Sequence, residues 1–171
     1  MDSIFGIPAH PLLVHLPVVL LPLAAAGVVV MVLRPAWHQR YRWAVLALGL
    51  LGAGGAFLAA ESGDSLEGRL IAKEGPGAAS GFEDHAGFGE TAELVALVFA
   101  IVLLVFVLAP WYLERREAQS RPLRAPRWAL ALLAVLTLLA SAGTVYTVVQ
   151  AGHSGAEAVW CETNTPPDCE A

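Results

Sequence analysis

Residues 11–33 read PLLVHLPVVLLPLAAAGVVVMVL, a run without a single formal charge. A helix needs roughly 20 predominantly apolar residues to cross the ~30 Å of hydrocarbon in a bilayer. Because backbone N–H and C=O groups find no water there, a segment of this kind spans the membrane as a helix. This one stretch therefore predicts an integral membrane protein.

Three further apolar runs follow at residues 43–60, 91–113 and 128–150, and they contain one charged residue, Glu93. Hydrophobic residues make up 57% of the 171 positions, more than a globular domain carries. Four spans with short connections can bury polar side chains only against one another. The sequence predicts an all-α integral membrane protein, a four-transmembrane-helix bundle in a membrane domain of residues 1–160, followed by a short tail of residues 161–171.

The basic residues predict the orientation of this bundle. Eight of the ten lie in two alternate connections, after the first and after the third helix: Arg34, Arg40, Arg42, Arg115, Arg116, Arg121, Arg124 and Arg127. The other connection and the C-terminal tail are acidic, and the net charge of −5 argues against a nucleic-acid partner. The positive-inside rule places the basic connections in the cytoplasm. We therefore expect a multi-pass protein of the bacterial inner membrane with both termini on the outer side.

Four of the five histidines gather at the outer side of this topology: His10, His15, His85 and His153. Ionisable groups close to hydrocarbon are costly and usually have a partner. A neutral imidazole binds metals, and an acceptor for its second nitrogen fixes its tautomer. Carboxylates that could accept lie nearby: Glu83, Asp84, Glu90, Glu93 and Glu157. The four histidines together predict a shared haem or metal site, although any one of them alone fits an interfacial anchor or a packing role better.

His15 is the best-placed ligand by sequence, because it lies about one turn inside the first helix, with His153 or His85 opposite. His10 is less certain, since Pro11 separates it from regular helix. The fifth histidine, His38, lies in an arginine-rich connection and is expected to be solvated. Small residues of the second helix let helices approach closely or leave room for a flat macrocycle: Gly49, Gly52 and Gly55. On the fourth helix, a polar stripe is suited to the bundle interior: Thr137, Ser141 and Thr144.

Both cysteines, Cys161 and Cys169, lie in the outer tail. The outer side is oxidising in most bacteria, so we expect a disulfide between them. Their eight-residue spacing matches neither the close cysteine pairs of zinc sites nor the motif of covalent haem attachment.

Residues 10–17 read HPLLVHLP, and residues 152–156 read GHSGA. These two segments resemble the opening H-P-x-x-V-H-x-P and the G-H-x-G-[GA] ending of a bacterial membrane family catalogued as domain of unknown function 2231. Two weaker likenesses are SGDSLE at residues 62–67 and DHAGFGE at residues 84–90. The resemblance covers the chain to Trp160 and implies a four-helix membrane protein whose histidines serve as haem ligands. In place of the family's small and basic extension, this chain ends in the cysteine-containing tail.

Three functions remain open at this point. The first is a haem-b electron carrier, in which iron held by two histidines exchanges electrons with quinol or with an outer-face redox protein. The second is a copper or zinc site for metal handling, since imidazole suits both ions. The third is a non-catalytic subunit of a larger membrane complex. A hydrolytic enzyme fits poorly, because the sequence has no G-x-S-x-G, H-E-x-x-H or phosphate-loop motif.

Overall fold

The computed structural model describes residues 3–75, 77, 82–119 and 125–164, without the side chains of Ile4 and residues 161–164. A small antiparallel hairpin comes first, formed by β1 (Ser3–Ile4) and β2 (Ile7–Pro8). Five helices follow: α1 (Ala9–Leu13), α2 (His15–Leu33), α3 (Pro35–Glu74), α4 (Glu83–Ala118) and α5 (Arg127–Asn164). Counting α1 and α2 together, the described chain has four helices long and apolar enough to cross a membrane. The predicted four-helix membrane architecture is confirmed.

The helices are longer than the predicted spans. α3 continues past residue 60, where the span was expected to end, and stops at Glu74. The next residue, Gly75, has a φ of +95°, which glycine adopts without steric cost because it lacks a side chain. A helix of 40 residues is about 60 Å long, twice the thickness of the hydrocarbon. α4 also begins before residue 91, and α5 continues past residue 150. Residues 61–74, 83–90 and 151–160 therefore form a helical extension of the bundle, because leaving the hydrocarbon does not end a helix.

Glycines on α3 bring it into close contact with its neighbours. A Cβ added to Gly52 would lie 2.8 Å from Leu21 of α2, and one added to Gly55 would lie 2.5 Å from Leu16. A Cβ at Gly49 would collide with Leu103 of α4. The expectation that these small residues permit close helix approach is confirmed.

α5 contributes polar residues to the interior. Thr137, Ser141 and Thr144 are all buried, as the predicted stripe requires. Ser141 and Thr137 donate to carbonyls one turn earlier on α5, and Thr144 Oγ1 lies 3.4 Å from the carbonyl oxygen of Val95 on α4. Each of these three hydroxyls thus has an acceptor inside a mostly apolar bundle.

The end of the bundle where α3 begins and α4 ends is the arginine end. Arg42 Nη1 lies 2.8 Å from Glu114 Oε2, and the rings of Trp43 and Trp111 meet edge to face at 5.7 Å. His38 was expected to be solvated, and this expectation is wrong. Because α3 already begins at Pro35, His38 lies on the helix, half-buried, with its ring 5.1 Å from that of Phe106.

Candidate functional site

A cavity of about 520 Å³ lies at the opposite end of the bundle, the histidine end. Its walls are mostly apolar and come from α1 to α5: Val14, Pro17, Ala56, Leu70, Val148 and Val159 are among them. The polar lining consists of two histidines and four carboxylates: His10, His85, Asp64, Glu67, Glu90 and Glu93. A mostly apolar cavity of this size with a few polar groups is typical of a small-molecule or cofactor site.

The position of His10 is fixed by a contact between α1 and α3. α1 begins at Ala9, so Pro11 falls in the first turn, where a helix tolerates proline. His10 Nδ1 lies 2.8 Å from the carbonyl oxygen of Ala59 on α3. Because a carbonyl can only accept, Nδ1 carries the proton, and Nε2 of the neutral ring keeps its lone pair for a ligand.

His85 is held in the same way from another helix. It lies in the first turn of α4, half-buried, with Nδ1 3.0 Å from the carbonyl oxygen of Ala151 on α5. The Ser154 hydroxyl is 3.3 Å from the same nitrogen and donates to that carbonyl as well. Nδ1–H is thus shared between two oxygens, and Nε2 of His85 is again the nitrogen left for a ligand.

The two imidazoles lie next to each other on the cavity wall. Their ring centres are 5.9 Å apart, and the ring planes are inclined at 79°. A metal ion bound by two imidazole nitrogens at ~2.0 Å holds those nitrogens at most about 4 Å apart, the separation they have when they lie on opposite sides of the ion. Since each nitrogen lies at the rim of its ring, ring centres at the observed separation are compatible with one shared ion.

Two glycines make room for these rings. A Cβ added to Gly63 on α3 would lie 3.2 Å from His10 Nδ1, and one added to Gly155 on α5 would lie 2.8 Å from His85 Cε1. Gly155 was one of the small residues that flank the later histidines in the sequence, and Gly63 had no predicted role. Gly155 lies four residues after Ala151 and therefore on the same face of α5.

The other two predicted histidines do not line the cavity. His15 is exposed, and its Nδ1 lies 2.8 Å from the carbonyl oxygen of Pro11, four residues earlier in α1. The His153 side chain is 68% exposed, and its Nε2 lies 3.2 Å from Glu157. Five residues along a helix turn a side chain by about 140°, so His10 and His15 face different ways. The structure thus brings together His10 and His85, and places His15 and His153 outside.

The acceptors for the cavity histidines also differ from expectation. Backbone carbonyls, and not the predicted carboxylates, hold both Nδ1 atoms. Within the described ranges, no group of three or more His, Cys, Asp or Glu side chains is arranged to hold a metal ion. The predicted disulfide between Cys161 and Cys169 lies outside the residues whose side chains are described.

The model of a family described as a predicted membrane protein (DUF2231) matches residues 6–164. No curated protein and no solved structure matches the chain. The match includes every residue that lines the cavity.

Proposed function

The chain belongs to this family of predicted membrane proteins, and we propose that it binds haem b through His10 and His85 and serves as an electron carrier. The observation that carries the proposal is the histidine pair. Two imidazoles from different helices lie side by side on an apolar cavity, each with Nδ1 held by a backbone carbonyl. That bonding orients the rings and leaves both Nε2 atoms available as ligands, which supports axial ligation of an iron between them.

The number of protein ligands favours haem over zinc. Structural zinc sites use four protein ligands and catalytic zinc sites use three, whereas the described residues offer two histidines without a third grouped ligand. Haem supplies the remaining ligands from its own macrocycle and needs axial side chains from the protein. The apolar walls and the glycine positions beside both rings suit a flat, mostly apolar group.

Iron with two histidine ligands passes electrons and is closed to oxygen chemistry. The chain would contribute orientation, water exclusion and charge. Apolar side chains such as Pro17, Ala56 and Val148 line the cavity and would exclude water from the bound group. Carboxylates such as Glu90 and Glu93 add negative charge near the site, which favours the more positive, oxidised state of the iron.

The place of electron exchange follows from the predicted orientation. If the arginine end faces the cytoplasm, the cavity lies at the outer side of the inner membrane, as the positive-inside rule requires. His38 is the one histidine of the sequence outside the predicted outer group, so a second bis-histidine site at the arginine end is not available from one chain. Exchange would therefore involve quinol from the bilayer, an outer-face redox protein or a larger membrane complex containing this chain.

Copper is a second candidate, favoured by the acidic part of the cavity. Four carboxylates line it, and they attract cations to the two imidazoles: Asp64, Glu67, Glu90 and Glu93. Imidazole nitrogen suits copper as well as iron. The same carboxylates repel the negatively charged propionate groups of haem. The acidic lining therefore favours copper over haem.

The experiment is the visible spectrum of the detergent-purified protein, oxidised and reduced, together with metal analysis. Haem b gives a Soret band and an α band that sharpens on reduction, at about one haem per chain. Stoichiometric copper without these bands would support the copper site in place of the haem site. If the protein holds neither, and takes up neither haemin nor copper on titration, both proposals are wrong.

A further inference from the structure

The N-terminal hairpin ends in an unusual turn. β1 and β2 pair with Ile4 opposite Ile7, so the loop between them consists of Phe5 and Gly6. Both loop residues have positive φ, +52° and +83°, which is the signature of a type I′ turn. Asparagine or aspartate is the usual first residue of such a turn, and a bulky aromatic residue there is strained. Phe5 nevertheless occupies that position, and the residue is fully exposed.

The hairpin lies at the level where the predicted second span ends. It joins directly to α1, and His10 of α1 contacts the carbonyl of Ala59, one residue before the predicted end of the span at residue 60. α2 alone, with 19 residues, covers about 28 Å, nearly the whole thickness of the hydrocarbon. The hairpin and α1 are thus left at the membrane boundary.

The hairpin also continues the apolar surface of the first span. Residues 3–33 contain no Asp, Glu, Lys or Arg, which is longer than one crossing needs. Exposed apolar side chains run from the hairpin onto the helix, with no charged residue between them: Phe5, Ile7, Leu12 and Val19. A surface that is lipid-facing on α2 therefore extends to the turn.

We propose that this hairpin is an interfacial membrane anchor, in which Phe5 inserts into the lipid at the histidine end of the bundle. Its partner is the bilayer in which the protein already lies, whatever the cavity binds. Strained residues persist where the surroundings compensate for them, and lipid contact of an otherwise water-exposed ring provides that compensation. Because His10 follows the hairpin by two residues, the anchor also fixes the wall of the cavity that α1 forms.

A spin label on the hairpin tests the anchor while Phe5 is retained. In a Cys161→Ser, Cys169→Ser background, Ser3→Cys carries a nitroxide in phosphatidylcholine vesicles, and its collisions with oxygen and with a water-soluble nickel chelate are measured. Leu97→Cys, on the exposed apolar surface of α4, is the lipid reference, and Lys73→Cys, exposed on the helical extension, is the water reference.

We expect the label at position 3 to resemble the lipid reference, with few nickel collisions. Adding Phe5→Asn, which fits the turn better but removes the ring, should shift it toward the water reference. Nickel collisions equal to those at position 73 with Phe5 present would overturn the proposal. A protected label that does not respond to Phe5→Asn would also overturn it, since Phe5 would then not be the anchoring group.

Discussion

His85 lies with its ring against Gly155, at a place where an added Cβ would come within 2.8 Å of Cε1. The nitrogen Nδ1 of the same ring bonds to the carbonyl of Ala151, one turn earlier on α5. One face of α5 therefore both bonds the imidazole and makes space for it. The site depends on a missing side chain at Gly155 as much as on the histidine itself.

Gly155→Ala should displace the His85 ring and weaken haem binding by about 10–100-fold, the usual cost of disturbing a group that orients a metal ligand. Backbone atoms of α5 cannot move away easily, so the ring must move. Haem titration of the purified variant, followed in the Soret band, measures the change.

The matched control is Gly87→Ala on α4, two residues from His85, where an added Cβ meets nothing within 4 Å. Alanine in place of a helical glycine should stabilise the protein by about 0.5–1 kcal/mol and leave haem binding unchanged. Equal losses of haem affinity in both variants would show that haem binding does not depend on the space that Gly155 leaves beside His85.

The spans were predictable from sequence, but the site was predictable only in part. Long apolar runs with at most one charged residue locate helices that must cross lipid, so all four spans appear in the structure. An apolar run does not reveal where a helix ends once the helix continues beyond the hydrocarbon. For this reason α3 was expected to end near residue 60 and not at Glu74. His10 was ranked below His15 because Pro11 was taken as a break, whereas the helix begins before it at Ala9. The partners of His10 and His85 are backbone carbonyls of distant residues, which no sequence pattern marks.

The orientation can be tested by cysteine labelling in a background without Cys161 and Cys169. The positive-inside rule predicts that Arg40→Cys faces the cytoplasm and that Glu74→Cys faces outward. A membrane-impermeant maleimide added to intact cells should therefore label position 74, and label position 40 only after permeabilisation. Labelling of position 40 in intact cells would show that the orientation is the opposite one and that the cavity lies at the cytoplasmic side.

Glu114→Ala should destabilise the arginine end of the bundle. It removes the partner of Arg42, whose side chain is 12% exposed, while Glu114 itself is 38% exposed. Because a mostly buried guanidinium loses a charged hydrogen bond, we expect a cost of about 1–3 kcal/mol. Denaturant titration in detergent micelles measures it. Glu117→Ala, the same change at an exposed position of α4, is the control, and equal effects of the two variants would contradict a stabilising role for the ion pair.

The predicted disulfide between Cys161 and Cys169 is open to a direct mass measurement. Alkylation of the denatured protein should add two groups after reduction and none before it. Alkylation of both cysteines without a reductant would show that the bond is absent. Because the spans are held together by helix packing, Cys161→Ser should leave the cavity and its ligand unaffected.

The most direct test of the account is the haem content of single histidine variants. With His10 and His85 as the ligand pair, His10→Ala and His85→Ala should each lose or shift the Soret and α bands. His15→Ala, His153→Ala and His38→Ala should keep the wild-type spectrum, because those rings lie outside the cavity. The account is contradicted if His10→Ala and His85→Ala both retain wild-type spectra, or if His15→Ala or His153→Ala abolishes the bands while His10→Ala and His85→Ala do not.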